Sequence, residues 1–324
     1  MRVGVVGCGG MGSWHAKNLA AQPGIEVVAA ADVVIEAAEA VAVAVGATVM
    51  GGSELCRSDS IDAVLIASND KTHAEFAIPS IEAGKPCFLE KPLAATLDQA
   101  RQILDAEMAA GQILTRVGFM RELDPAHRQV QAAVNTMGGP AAITRVRSVH
   151  RNLDDELRPV NVLFAQSIIH DIHTIRWLTG QEFCRVTSHI VSRSDNFRDM
   201  LIVGEMANGA LGTIDFEDQG FGYEVQLEVT TTAGMSATVA HPRSVTRSNA
   251  AESLDIGTDW FARFEDAYRV EIEQWSQDIQ SGRTSGPTIW DGFAAQVVAD
   301  AAERSALEQT PIDIELPPKP DLYQ

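Results

Sequence analysis

Apolar runs alternate with helical stretches through the first third of the chain. The runs at 2–6, 25–31, 47–50, 61–67, 86–89 and 114–118 read as buried strands. Between them, the spacing of apolar positions predicts helices after the glycine-rich segment at 7–12, over 35–45, from 73 to about 83, and from 96 to about 110. The last of these opens on Thr96-Leu97-Asp98-Gln99, a capping box. Strands alternating with helices predict a doubly wound parallel sheet. After residue 118 the pattern changes. Phe119-Met120-Arg121-Glu122-Leu123-Asp124-Pro125 reads as a crossover, followed by a helix that Gly138-Gly139-Pro140 ends. Strand patterns then dominate from 143 to 239, and two helices close the chain at 260–280 and 290–308. Consecutive strands predict a large, mainly antiparallel open sheet with helices on one face. The chain is therefore expected to be α/β, with a domain over 1–118 and an α+β domain over 119–324. Val225, Leu227 and Val229 alternate with Gln226 and Glu228, and the aliphatic set is expected on the exposed face as an oligomer interface.

One stretch of the second domain carries unusual chemistry. Over 166–177 the sequence reads as a helix at about 100° per residue. Gln166, His170, His173 and Trp177 then share one face, and Ile168, Ile172 and Ile175 the other. Two imidazoles on one face fit a hydrogen-bonded polar patch, a general base or a metal pair. No third ligand is evident nearby, and Asp171 points away, so no metal is expected.

The first domain supplies a cofactor signal. Gly7-Cys8-Gly9-Gly10-Met11-Gly12 lies between a strand and a helix. The glycines permit a tight turn, close approach of the backbone to a pyrophosphate, and packing of helix on strand. The helix N-terminus then holds the phosphates. Asp32 ends the second strand twenty residues after Gly12, where a carboxylate hydrogen-bonds the ribose hydroxyls. It repels a 2′-phosphate, and Val33 and Val34 offer no cation, so NAD is expected rather than NADP. Ser68, Asn69 and His73 follow the fourth strand, and Glu90-Lys91-Pro92 ends the fifth. Ligands of such sheets bind outside these strand ends. The expected cofactor set is therefore Gly7, Gly9, Gly10, Met11, Gly12, Asp32, Ser68, Asn69, His73, Glu90 and Lys91. This is a Rossmann arrangement.

Charge narrows the partners. The chain has 324 residues, with 25 Lys and Arg against 44 Asp and Glu, a net charge of −19. With no excess of cations it is a poor match for nucleic acid or for anionic membrane surfaces. Apolar runs never reach the roughly 18 residues of a membrane span. The first apolar run is too short for a signal peptide, which points to the cytoplasm. Cys8, Cys56, Cys87 and Cys184 are scattered, with no CxxC pair, and are expected to be buried thiols.

These motifs together resemble the glucose–fructose oxidoreductase/inositol dehydrogenase (Gfo/Idh/MocA) family. The glycine loop, Asp32 and Glu90-Lys91-Pro92 are its general marks. Closer similarity is to bacterial inositol 2-dehydrogenases, through Phe119-Met120-Arg121 with Asp124-Pro125, His150-Arg151-Asn152, Gly222-Tyr223, Thr258-Asp259-Trp260, Asp266-Ala267-Tyr268, Ser285-Gly286-Pro287 and Trp290-Asp291-Gly292. The resemblance implies NAD-dependent oxidation of a secondary alcohol of a cyclic polyol or sugar. His170 would be the base and Lys91 the donor to the reacting hydroxyl. Arg121, His150, Asn152 and Tyr223 would border the substrate, and the assembly would be a homotetramer. The chain departs from the family twice. Gln166 stands where an aspartate precedes the histidine by four residues, and His173 where an aspartate follows it by three. Both departures predict a pocket retuned toward another polyol, with Gln166 orienting His170 and His173 facing the substrate. Two other readings stay open: a silent NAD- and sugar-binding sensor, and a same-fold enzyme that oxidises glycosides.

Overall fold

The computed structural model describes residues 1–151, 158–194, 197–218, 220, 222–239, 244–248, 251–255, 257 and 259–324. Two units form. One comprises Met1–Phe119, Tyr268–Gln296 and Pro317–Gln324; the other comprises Met120–Ala267 and Val297–Leu316. The first crossing falls beside the expected boundary at 118/119. The later returns break the contiguous division expected from sequence.

In the first unit, β1 (Arg2–Val6), α1 (Gly10–Ala20), β2 (Glu26–Ala31), α2 (Ile35–Val45), β3 (Thr48–Val49), α3 (Gly52–Arg57), β4 (Ala63–Ile66), α4 (His73–Glu82), β5 (Cys87–Glu90), α5 (Leu97–Ala110) and β6 (Thr115–Gly118) follow in order. All six strands are parallel, in the order β3-β2-β1-β4-β5-β6. β1 and β4 are central, so the chain reverses its winding between them. That switch point is where ligands of open α/β sheets bind. The core explains why part of the distant chain returns. Ile272 and Trp275 are buried with Val3, Val5, Leu19, Leu65 and Phe88.

The C-terminal tail is tied to the same unit by a buried hydrogen bond. The Tyr323 hydroxyl donates to Glu107 Oε2 at 2.7 Å, while Glu107 Oε1 accepts from the N–H groups of Leu114 and Thr115. Burial raises the Glu107 carboxyl above its ordinary value. Its ionisation therefore costs stability as pH rises from the usual carboxylate range through that raised value. Tyr323→Phe leaves the carboxylate one donor short and should cost about 1–3 kcal/mol, read as a lower denaturation midpoint at neutral pH.

The second unit opens on a 3-10 turn (Met120–Leu123) and α6 (Pro125–Thr136). It continues with β7 (Ala141–Val149), α7 (Val160–Leu163), a π-helical turn (Phe164–Ile168) and α8 (Ile169–Thr179). Five strands follow: β8 (Phe183–Ser194), β9 (Phe197–Met206), β10 (Leu211–Glu217), β11 (Glu224–Thr231) and β12 (Ser236–Thr238). β13 (Ser244–Ser248) and β14 (Ala251–Asp255) pair as a hairpin. α9 (Trp260–Gln280) and α10 (Ile289–Glu308) are each shared between the units, and β15 (Ile312–Asp313) ends the sheet. The sheet order is β12-β11-β7-β10-β9-β8-β15, with β7 and β10 parallel and the other pairs antiparallel.

α8 lies on β7 and β10, where a Cβ at Gly212 would stand 2.9 Å from Ile175 Cγ2. Val225, Leu227 and Val229 are buried on the inner side of the sheet. This corrects the expected aliphatic outer face: the alternation is present, but its side is reversed. The outer side holds cross-strand ion pairs, Arg145 Nη1 to Glu228 Oε1 at 2.7 Å and Arg147 Nε to Asp215 Oδ2 at 3.6 Å. Among the described residues no helix is long and apolar enough to cross a membrane. Cys8, Cys56 and Cys87 are buried thiols, whereas Cys184 is exposed, against expectation.

Candidate active-site residues

The glycine loop is shaped by two near-collisions. Gly7 has φ +90°, and a Cβ there would stand 2.3 Å from the Ser68 nitrogen. A Cβ at Gly12 would stand 1.8 Å from the Gly7 carbonyl oxygen. These glycines let the loops after β1 and β4 and the first turn of α1 close on one another. Gly9 and Gly10, by contrast, face open space, with nothing within 4 Å of a Cβ at either. Gly9 caps α1 without a side-chain hydrogen bond. The N–H groups of Gly10, Met11 and Gly12 therefore lie in a helix start that lacks intrahelical acceptors, a ready cradle for a pyrophosphate.

Asp32 is held in place before any ligand arrives. Its Oδ2 accepts from the Cys8 N–H at 2.6 Å and its Oδ1 from the Val34 N–H at 2.8 Å. Each oxygen keeps a further lone pair for a ribose hydroxyl. A cleft of about 660 Å³ opens beside it, lined by Gly7, Asp32, Val33, Met50, Ser68 and Asn69. Glu54 and Glu75 also line it, which adds to the repulsion of a phosphomonoester. Asp32→Ala should weaken NAD binding about 10- to 100-fold, the size of a lost charge-assisted hydrogen bond, and narrow the preference over NADP. Fluorescence titration with both cofactors measures this.

The turn after β5 presents Lys91, which is partly buried and joined to Pro92 by a cis peptide bond. Two expected cofactor residues stand behind this turn. Glu90 is 7% exposed; its Oε1 meets His15 Nε2 at 2.8 Å, and its Oε2 accepts from the Lys91 N–H at 3.2 Å. Burial opposes the Glu90 charge, but His15 and Lys91 outweigh it and hold the carboxyl below its ordinary value. His73 is 1% exposed, with Nδ1 2.8 Å from the Pro92 carbonyl oxygen and Nε2 3.1 Å from that of Ser68. Burial pushes its pKa down, against the pull of those two carbonyls. His73 therefore braces two loops of the cofactor edge from beneath. Expected among the cofactor residues, it is buried rather than exposed beside Asp32.

In the second unit, His170 is 7% exposed and His173 is 2% exposed, so the helix is buried on nearly every side. The single amphipathic α-helix expected over 166–177 is absent. The π-helical turn adds a residue to the turn before α8 and shifts Gln166 out of the α register. Gln166 is exposed. His173 does not front a polar face: its Nε2 meets Glu122 Oε1 at 2.8 Å. The residue before it in the 3-10 turn, Arg121, directs Nη1 to Asp171 Oδ1, which also accepts from Ser148 Oγ at 2.7 Å. Successive residues of one turn thus grip α8 at positions 171 and 173, on either side of Ile172 and just past His170.

Three residues expected at the substrate lie together. Arg121 hydrogen-bonds Asp171, and its positive charge bears on the buried Tyr223 hydroxyl. Tyr223 packs at 4.9 Å from the His150 ring, and burial raises its hydroxyl pKa. Arg121 is 2% exposed and Tyr223 5%. Asn152 lies outside the described residues. The described residues contain no group of three or more His, Cys, Asp or Glu able to hold a metal ion. Sequence reading missed Glu122 and Ser148 as partners of this helix. The Glu122 side chain is visible in the Arg121-Glu122 pair, but its target lies 51 positions away.

Comparison with known proteins agrees with both halves. Residues 1–119 match the oxidoreductase family described as the NAD-binding Rossmann fold, and residues 163–314 match its C-terminal α/β domain. Inositol 2-dehydrogenase 2 of Saccharopolyspora erythraea is 36% identical over 333 residues, covering 100% of this chain and 98% of the relative. An inositol 2-dehydrogenase of Rubrobacter xylanophilus is 38% identical, covering 99% and 95%. The crystal structure of myo-inositol dehydrogenase from Lactobacillus casei in complex with NAD(H) and myo-inositol superimposes with a TM-score of 0.94 at 28% identity, over 100% of this chain and 99% of that one. With a glycine loop open to a pyrophosphate, a fixed Asp32 and family matches along both units, the chain belongs to the Gfo/Idh/MocA family of NAD-dependent oxidoreductases.

Proposed function

We propose that this oxidoreductase removes hydride from a secondary carbinol of a cyclic polyol of the inositol class, with His170 as base and Lys91 as donor to the reacting oxygen. The observation that carries the reading is His170, a buried imidazole on a helix gripped just beyond it by the Arg121–Asp171 ion pair and the Glu122–His173 contact. The inositol relatives, similar over their full length, support the substrate class. NAD supplies the hydride acceptor when bound. The glycine loop and Asp32 hold the pyrophosphate and ribose, Ser68 and Asn69 border the cleft, and Glu90 and His73 fix the turn that carries Lys91. Lys91 donates to the hydroxyl oxygen and steadies developing alkoxide charge. His170 takes the hydroxyl proton. Arg121 and Tyr223, with His150, shape the polar wall, and Asn152 belongs to the same reading by resemblance. We also assign the protein to the cytoplasm and to a homo-oligomer built through the outer side of the second sheet, which light scattering tests.

The experiment is NADH formation across inositol isomers and monosaccharides. Turnover of at least one inositol supports the reading; NAD binding without turnover of any polyol overturns it. The silent-sensor reading draws on one observation, the uncharged and exposed Gln166. If Gln166→Asp creates activity where the parent has none, the sensor reading is correct.

A further inference from the structure

We propose that Glu122 is the carboxylate that sets the charge around His170, acting through its contact with His173. The proposal rests on His170 being the base. A base that accepts a proton becomes an imidazolium, and burial penalises that charge unless a negative group is near. Among the described residues, the charged groups around α8 can be named. On the helix itself are Asp171, His173 and Arg176. The π-helical turn has no titratable side chain, and the inward residues of β7 and β10 (Thr144, Val146, Ser148, Gly212, Ile214 and Phe216) have none either. Arg145, Arg147, Asp215 and Glu217 occupy the opposite side of the sheet, where they pair across strands. The 3-10 turn adds Arg121 and Glu122, and Tyr223 bears on Arg121.

Most of these cancel. Asp171 is neutralised by Arg121. Arg176 is neutralised by Glu182, with bonds of 2.6 and 2.7 Å. Glu122 differs, because its partner is an imidazole. While His173 is neutral and donates through Nε2, the Glu122–His173 pair keeps one negative charge. Residues three apart on a helix have Cβ atoms about 5–6 Å from each other, so the imidazole that carries the Glu122 contact neighbours His170 along α8. Two neighbouring imidazoles do not both take protons cheaply, and Glu122 adjusts the balance between them. Glu122 is a positioning residue by this argument: it acts on the base and not on the substrate.

The test uses the full chain with NAD. Glu122→Gln should shift the acid limb of the kcat/KM profile with the active inositol to lower pH, on the order of one unit for a partly screened neighbouring charge. Histidine-labelled NMR offers a readout that needs no turnover: the His170 resonance, assigned by its loss in His170→Asn, should titrate at correspondingly lower pH. Glu122→Asp should restore both, which separates charge from packing. An unmoved acid limb and an unmoved His170 titration in folded Glu122→Gln overturn the proposal. Full activity in His170→Asn overturns instead the assignment of the base.

Discussion

His170→Asn should lower kcat by about 10²- to 10⁴-fold, the range for loss of a general base, with NAD affinity unchanged. The separation is expected because the glycine loop, Asp32 and the cleft beside it belong to the first unit, whereas His170 belongs to the second. Asparagine keeps a hydrogen-bonding side chain of similar reach but cannot accept a proton at neutral pH. KM for the polyol should change far less than kcat, since a base acts on the transition state more than on the ground state. Steady-state kinetics with isothermal titration of NAD separates the two effects. A kcat within threefold of the parent would remove His170 from the mechanism.

The second large effect is on stability. Arg121 and Asp171 are 2% and 0% exposed at their side chains and face one another directly. Asp171 raises the Arg121 pKa further, although burial alone opposes it. Breaking a buried pair leaves an uncompensated charge, so Arg121→Met should cost about 3–5 kcal/mol. Among the described residues, Asp171 would keep only the Ser148 hydroxyl. Replacing both partners with apolar residues of similar volume removes that stranded charge and should recover much of the loss. Chemical denaturation of the two single variants and the double variant gives the coupling. If the double variant loses the sum of the two single losses, the ion pair contributes little and the packing around it carries the helix. Activity should fall in Arg121→Met beyond what unfolding explains, because the grip on α8 next to His170 is lost.

The sequence discloses those parts of the fold and site whose cause is local. Gly7, Gly12 and Asp32 are readable because the turn, the close approach and the strand end all lie within 32 positions of the start. The six parallel strands are readable because buried runs alternate with helical ones. The π-helical turn is hidden, since one added residue leaves the apolar spacing of Ile168, Ile172 and Ile175 intact while moving Gln166. The Glu122–His173 contact is hidden because two polar side chains far apart in sequence give no periodic signal. The side of the second sheet is ambiguous for another reason: alternation gives the phase of Val225, Leu227 and Val229, and only the position of α8 says which phase is inward. Asp171 reads as pointing away from His170, and it does so because it serves Arg121 and Ser148.

The return of Tyr268–Gln296 and Pro317–Gln324 to the first unit has a consequence for synthesis on the ribosome. Residues 1–119 emerge long before Ile272, Trp275 and Tyr323, which complete the core and satisfy Glu107. A nascent Rossmann segment must therefore wait with apolar surface uncovered, and the nucleotide-binding half matures only when the last part of the chain arrives. Order of translation and order of completion run in opposite directions here, which makes the interval between them the stage at which chaperone binding or misassembly is most costly.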